Sequence, residues 1–370
     1  MKEILIVAGE VSGDIHGSRL VDELLKFDSS LKFFGIGGDR MRNSGVELLH
    51  HVKDVSFLGF TEVIKHIPFM KRIKKELQSE VENRNIEKII LIDYPGFNLS
   101  LAKNLFSAKR KIYYYISPQI WAWGKNRVNT IKKYIHKMLV VFKFEEEFYN
   151  EHNIKAEFVG HPLLESINDY QFESKEKFFE EFGFDKSKKL ITIFPGSRKQ
   201  EIEKILPISI LTASKLKQNL DIQIAVAAVS NFSDSLYHQF DKEAKIIYNR
   251  NYELLKYSDA GIIKSGTSTL EAALFQLPFV VVYKTSRLSY LLGKSLIKID
   301  SIALANIVSR KKVVKELIQH DASVEKISTE LKKLLVDEKY RETLKRSFRE
   351  LKNELGELGA SRRAAELILK

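Results

Sequence analysis

The chain has 370 residues, with 60 Lys and Arg against 48 Asp and Glu for a formal net charge of +12, and no cysteine. Its length and 44% hydrophobic content suit two domains or one large one, and set aside disordered and collagen-like chains. The lack of cysteine excludes disulfides, thiolate metal sites and a cysteine nucleophile, and apolar runs such as 138–142 and 277–283 are too short to cross a bilayer, so a soluble cytoplasmic protein is expected.

Strands are expected at 3–8, 32–36, 88–93, 111–116, 137–142 and 156–159. A second set is expected at 189–194, 221–229, 245–248, 260–263 and 279–283, with amphipathic segments between strands. Several are continuous apolar runs, which suits parallel strands buried on both faces, and the strand–helix alternation implies βαβ units. The charged stretch 171–189 holds one short helix ended by Gly183 and reads as an interdomain connection. The expected fold is α/β, with two doubly wound Rossmann-like domains at 1–168 and 169–345 and a helical tail at 346–370.

Ligands of doubly wound sheets bind outside the carboxyl ends of the strands, so the junctions there carry the chemistry. After the first strand comes AGEVSGDIHG at 8–17. Its glycines allow close backbone approach and the helix start offers free amides, although the spacing is not that of a dinucleotide fingerprint. A tight turn alone explains the glycines; Glu10, Asp14 and His16 crowded into one loop point to function. Next is IDYPGFN at 92–98, where Asp93 ends an apolar run and either serves as a general base or initiates the turn before Pro95. In SPQIWAWGK at 117–125, Trp121 and Trp123 either pack a core or stack on a sugar or acyl chain.

In the second half, FPGSR at 194–198 offers a glycine, a hydroxyl and an Arg fork for phosphate, or else a plain Pro-Gly turn. KSGTSTLE at 264–271 starts a helix with more Ser, Gly and Thr than capping needs, which suits a diphosphate, with Glu271 a turn further in for ribose hydroxyls. There is no Walker A motif, no D-x-D pair and no H-x-x-x-H pair, so no metal site is expected. The segment 57–77 carries an apolar stripe of Phe60, Val63, Ile64, Ile67, Phe69 and Met70, continued by Ile73 and Leu77, beside Lys65, Lys71, Arg72, Lys74 and Lys75. A core-facing helix and a helix lying on a membrane surface share that pattern.

The charge is local. From 94 to 144 there are ten basic residues and no acidic one, leaving 50 basic against 48 acidic elsewhere. That span is either a solvated face or the approach for an anionic partner.

The ordered set AGEVSGDIHG, IDYPGFN, SPQIWAW, FPGSR and SGTSTLE resembles the lipid-A-disaccharide synthase family of inverting, two-Rossmann-domain (GT-B) glycosyltransferases. The match continues at Ala305-Asn306 and at 314–317, so it spans nearly the whole chain. One departure is Gly96, where family members often carry a second aspartate. The resemblance implies a cleft between the domains and a metal-independent reaction needing no cofactor. UDP-2,3-diacylglucosamine would donate its sugar to the 6-hydroxyl of 2,3-diacylglucosamine 1-phosphate, giving a β-1,6-linked disaccharide phosphate and UDP in lipid A biosynthesis. It implies Asp93 as the favoured base, with Glu10, Asp14 or His16 in reserve. Ser12, Asp14, Asn98, Gly196, Ser197, Arg198, Ser265, Gly266, Thr267, Glu271 and Asn306 are then the substrate-binding residues. The 57–77 stripe becomes an acyl or membrane contact on the cytoplasmic face of the inner membrane, much of the basic span lines or borders the acceptor domain, where a phosphorylated lipid arrives, and a homodimer is allowed. The tail would pack back on the first domain. The rivals are another UDP-sugar enzyme of this architecture, such as a peptidoglycan-type glycosyltransferase or a UDP-sugar epimerase, and a nucleic-acid-binding protein using the basic span. The first two lack SPQIWAW together with AGEVSGD; the last leaves the phosphate loops without purpose.

Overall fold

Each apolar run named above forms a strand in the computed structural model, which describes residues 2–55, 66–121, 126–230, 235–286 and 301–370. The chain divides into two units, Met1–Glu165 with Leu355–Lys370, and Ser166–Glu354.

The first unit is built on a parallel sheet of β1 (Glu3–Ala8), β2 (Lys32–Gly37), β3 (Val46–His51), β4 (Lys88–Ile92), β5 (Lys111–Tyr115), β6 (Lys137–Val140) and β7 (Ala156–Phe158). The order is β3-β2-β1-β4-β5-β6-β7, so the direction of winding reverses between β1 and β4. Central strands are apolar throughout because helices cover both faces; Leu5, Ile6, Val7, Ile89, Ile90 and Leu91 are fully buried. β4 and β5 end one residue earlier than expected, since Asp93 (φ 44°) and Ile116 (φ 64°) leave the extended region, and β6 and β7 stop two and one residues early. The unexpected β3 is an edge strand whose polar residues face outward: Glu47 pairs with Arg84 and His50 lies 3.1 Å from Glu76.

Residues 355–370 complete this unit. Helix Ala360–Leu369 buries Ala360, Ala364, Ala365 and Ile368. Glu165 accepts from the Ser361 amide and hydroxyl at 2.9 and 2.7 Å, and the Arg363 Nε donates to the Val159 carbonyl. The tail begins at Leu355 rather than 346, because helix Glu338–Glu354 runs unbroken and packs in the second unit, where Phe348 stacks on Phe279.

The second unit has a parallel sheet of β8 (Lys189–Phe194), β9 (Ile222–Ala228), β10 (Lys245–Tyr248), β11 (Ala260–Lys264), β12 (Phe279–Tyr283) and β13 (Glu316–Ile318). Its order, β10-β9-β8-β11-β12-β13, reverses between β8 and β11. The three-residue edge strand β13 is too short to show a pattern in sequence. The stretch expected as a connection instead belongs to this unit. Ser174 caps helix Lys175–Glu181 by accepting from the Lys177 amide, Phe178 and Phe179 are buried, and Arg250 bonds both Glu173 and Glu181.

Gly35 sits in β2 at φ 145°, where an added Cβ would lie 2.1 Å from the Ile6 carbonyl oxygen of β1. Gly35→Ala should destabilise the protein by roughly 3 kcal/mol or more, since neither the dihedral nor the sheet backbone can yield. A urea midpoint equal to the parent's would contradict this.

Candidate active site

In the first unit, the register Ala8↔Ile92 sets the loops after β1 and β4 side by side at the carboxyl edge, where the winding reverses. They touch directly. A Cβ on Gly9 would fall 2.0 Å from the Tyr94 ring, so only glycine lets that ring lie across the first loop, with the Tyr94 hydroxyl donating to the Val55 carbonyl at 2.7 Å.

Asp93 and Tyr94 are both left-handed, at φ 44° and 49°, a conformation non-glycine residues take only when held. The clamp is visible. The Asp93 carbonyl accepts from the Asn98 Nδ2 at 2.8 Å and the Tyr114 hydroxyl at 2.5 Å, while its amide donates to the Tyr115 carbonyl at 3.0 Å. Asn98 also donates to the Ile92 carbonyl and is fully buried, so it shapes the turn. Burial, and then the charge of Glu10, push the Asp93 carboxyl up to about 6, only partly offset by the Tyr94 amide. Glu10 is exposed at the N-terminal end of helix Val11–Phe27 and makes no side-chain cap bond. Two nearby carboxylates in unlike surroundings are how sites divide acid and base roles.

The other residues of that loop are sorted by their partners. Ser12 is exposed in the first helical turn. Asp14 is buried and accepts from the amides of Gly38, Arg40 and Met41, which fixes the turn after β2 and occupies it structurally. Burial, and then Arg19, lower the His16 imidazole to about 4. In the next motif the Trp121 Nε1 donates to Glu145 at 3.2 Å, and burial pushes that carboxyl up to about 8. Trp123, like Phe60, Val63 and Ile64, lies outside the described residues. Helix Ile67–Asn83 takes Pro68 in its first turn and buries Ile73, Leu77 and Val81; Phe69 and Met70 pack against the core, and Ile67 is exposed.

The basic span does not gather here. Lys111 and Lys137 open β5 and β6, so parallel topology puts them at the opposite edge of the sheet from Asp93. With His136 and Lys155 they line a separate cavity of about 410 Å³. Among the described members, only Arg127 and Lys143 follow a strand's carboxyl end, so the span belongs to the first unit but is spread over both edges of its sheet.

In the second unit, the register Ile263↔Phe194 places FPGSR and SGTSTLE together at the carboxyl edge, again where the winding reverses. A cavity of about 270 Å³ there is lined by Gly196, Ser197, Lys264, Gly266, Thr267 and Asn251, among others. Gly196 (φ 112°) and Gly266 (φ 155°) provide the turns, and Arg198 reaches outward, 68% exposed. Glu271 makes no side-chain hydrogen bond or ion pair among the described residues, and burial pushes it up to about 7. Ser265 and Asn306 are supports. The Ser265 hydroxyl donates to the Ile302 carbonyl at 2.7 Å. Glu316 accepts from the Ile302 and Ala303 amides, and from Asn306 Nδ2, which also donates to the Val314 carbonyl while its Oδ1 accepts from the Val314 amide. Asn306 thus braces the segment behind the loop. Asn251 and Lys264 were not expected. Lys264 adjoins the SGTSTLE motif; Asn251 opens a separate helix and carries no sequence signal. Among the described residues no cluster of three or more His, Asp and Glu could hold a metal, and no helix is long and apolar enough to cross a membrane.

Residues 4–369 match the family model described as lipid-A-disaccharide synthetase. A lipid-A-disaccharide synthase from Geobacter sulfurreducens is 40% identical, over 99% of this chain and 96% of that protein. The fold is similar to that of a glycotransferase of kitacinnamycin (TM-score 0.66, 13% identity, 100% and 98% of the two chains). It is also similar to a UDP-GlcNAc 2-epimerase from Neisseria meningitidis bound to UDP-GlcNAc (TM-score 0.64, 14% identity, 99% of each chain).

The raised Asp93 predicts two pH effects. A rate limited by this base should fall as pH drops through about 6, and Glu10→Gln, by removing a charge that raises it, should move that limb to lower pH. For stability, the folded value lies above the usual 3.8, so folding favours the protonated form and that contribution is lost as pH rises through 6. Asp93→Asn, which also tolerates the left-handed turn, should therefore stabilise the protein at pH 7–8 by on the order of 2 kcal/mol, with no gain below pH 4. Thermal melts at the two pH values check it.

Proposed function

The chain belongs to the lipid-A-disaccharide synthetase family, and from that membership we propose how its two units divide the reaction. The enzyme is a glycosyltransferase that joins UDP-2,3-diacylglucosamine to 2,3-diacylglucosamine 1-phosphate. The first unit takes the acceptor, and Asp93 removes the proton from its 6-hydroxyl. As the new bond forms at the donor's anomeric carbon, the bond from that carbon to the diphosphate oxygen breaks on the opposite face. The configuration inverts to β, and UDP departs with the bonding pair. Asp93 is left protonated and returns its proton to solvent.

The second unit takes UDP. Amides around Gly196, Ser197, Gly266 and Thr267, with Arg198, offset the charge that grows on the leaving diphosphate, the larger part of catalysis in such a displacement. The Glu271 carboxylate accepts from the ribose hydroxyls. Glu10 raises Asp93 toward neutrality, and Ser12 lies beside it for a polar contact with the acceptor. The observation that supports this division is the buried Asp93 carboxyl, pushed up by burial and by Glu10 at the carboxyl edge of the first sheet, on a turn that Asn98 and Tyr114 hold.

Both substrates bear fatty chains, and each buried methylene is worth about 0.8 kcal/mol. The exposed Ile67, with Phe60, Val63 and Ile64 before it, supports peripheral attachment to the cytoplasmic face of the inner membrane. A UDP-sugar epimerase, the reading that shares this fold, would convert its donor without an acceptor.

With purified substrates and no added metal, mass spectrometry should show disaccharide phosphate and UDP forming together and only when both substrates are present. Asp93→Ala should cut kcat by roughly 10²-fold or more, and Arg198→Ala should weaken UDP binding in calorimetry. Near-normal turnover of Asp93→Ala would remove the base assignment. Sedimentation with anionic liposomes at low salt tests attachment, and protein left in the supernatant would refute it.

A further inference from the structure

The diphosphate loops of the second unit already hold an anion of the chain's own. Glu201, in the first turn of helix Lys199–Lys217, turns its carboxylate back over the FPGSR loop and is only 12% exposed. One oxygen accepts from the Ser197 amide at 3.2 Å; the other lies 2.9 Å from the Lys264 ammonium and 3.9 Å from the Arg198 guanidinium. The same carboxylate explains Gly196, because a Cβ there would sit 2.4 Å from Glu201 Oε2. A backbone amide, an ammonium and a guanidinium converging on two oxygens at a strand–helix junction are the donors a phosphate group takes. Gly196, Ser197 and Lys264 line the same cavity as Gly266 and Thr267, so carboxylate and diphosphate are directed to one set of donors.

Resting on the assignment of this cavity to UDP, we propose that Glu201 is a built-in stand-in for the nucleotide's phosphate. It occupies Lys264 and the Ser197 amide when the site is empty, gives them up when UDP-sugar binds, and takes them back as UDP leaves. Two anions cannot share these donors in a half-buried pocket without repulsion, so each arrival of nucleotide must displace the carboxylate. The exchange serves turnover. Without it, Lys264 would be left unpaired on UDP departure, and recapture by Glu201 lowers the cost of release. Lys264 is thereby a phosphate-binding cation whose availability Glu201 sets, and Glu201 is a positioning residue that touches no reacting atom.

A helix-capping role alone predicts the opposite behaviour. Such a Glu201 would support the loop that receives UDP, and its replacement would weaken binding or leave it unchanged. The test is UDP affinity by calorimetry and UDP release by stopped flow, on the full chain. Glu201→Gln, which keeps shape and removes charge, should bind UDP roughly tenfold more tightly, the scale of one partly buried charge contact, and release it more slowly. Lys264→Met should bind UDP more weakly than the parent. In the Lys264→Met background, Glu201→Gln should gain much less, because the donor under competition is gone. Equal or weaker UDP binding by Glu201→Gln overturns the proposal, as does an undiminished gain in the double variant. If Glu201→Gln does not fold, Glu201→Asp replaces it: the shortened side chain cannot reach Lys264, and UDP binding no tighter than the parent's overturns the proposal equally. Failure of the parent to bind UDP at all would instead refute the assignment of the cavity, which separates the two outcomes.

Discussion

Parallel pairing of buried strands is the constraint on which the rest depends. Both sheets are parallel throughout, so within each unit every strand-to-helix junction opens at one edge and every helix-to-strand junction at the other. The reversal of winding, at β1/β4 and at β8/β11, separates two adjacent crossover helices and leaves room for a ligand. Chemistry follows from that geometry. Asp93 and Glu10 sit at one reversal, and Ser197, Lys264 and Thr267 at the other, because the sequence places them directly after the strands that flank it.

Each site also depends on residues that hold its loops from behind. Asn98 and Tyr114 hold the Asp93 turn, and Asp14 ties three amides of the neighbouring loop. In the second unit Asn306 and Glu316 hold residues 302 and 303, and Ile302 in turn holds the Ser265 hydroxyl. These bonds are buried, so losing one leaves an unsatisfied partner as well as a freed loop. Polar residues of this kind fall inside the most recognisable motifs while serving the backbone.

That double use marks where the sequence is legible and where it is not. Apolar runs identify central strands because burial on both faces admits nothing else, and the order of loop motifs identifies the family. A polar residue in a motif reads the same whether it binds substrate, as expected of Asn306 and Asp14, or a neighbouring amide, as found. Of the edge strands, β3 and β13 are hidden because β3 carries the polar Glu47, His50 and His51 and β13 is three residues long. The charge asymmetry is legible in sequence, but the sheet edge that each basic residue joins is not. A residue's position before or after its strand decides which edge it joins, and Lys111 and Lys137 come before. Lys264 was visible beside its motif, yet its tie to Glu201 joins residues 63 positions apart and exists only in the fold.

The return of residues 355–370 to the first unit has a consequence for how the molecule is made. The second unit is one uninterrupted stretch and can close as soon as Glu354 has been synthesised. The first unit, although begun earlier, still lacks the helix whose Ser361 ties to Glu165 and whose Ile368 and Leu369 carbonyls accept from Lys88. The half of the enzyme translated first is therefore the half finished last. Until then helix Val11–Phe27 has an uncovered face, and a released chain cut short after residue 354 would hold all of the second unit but an unfinished first one.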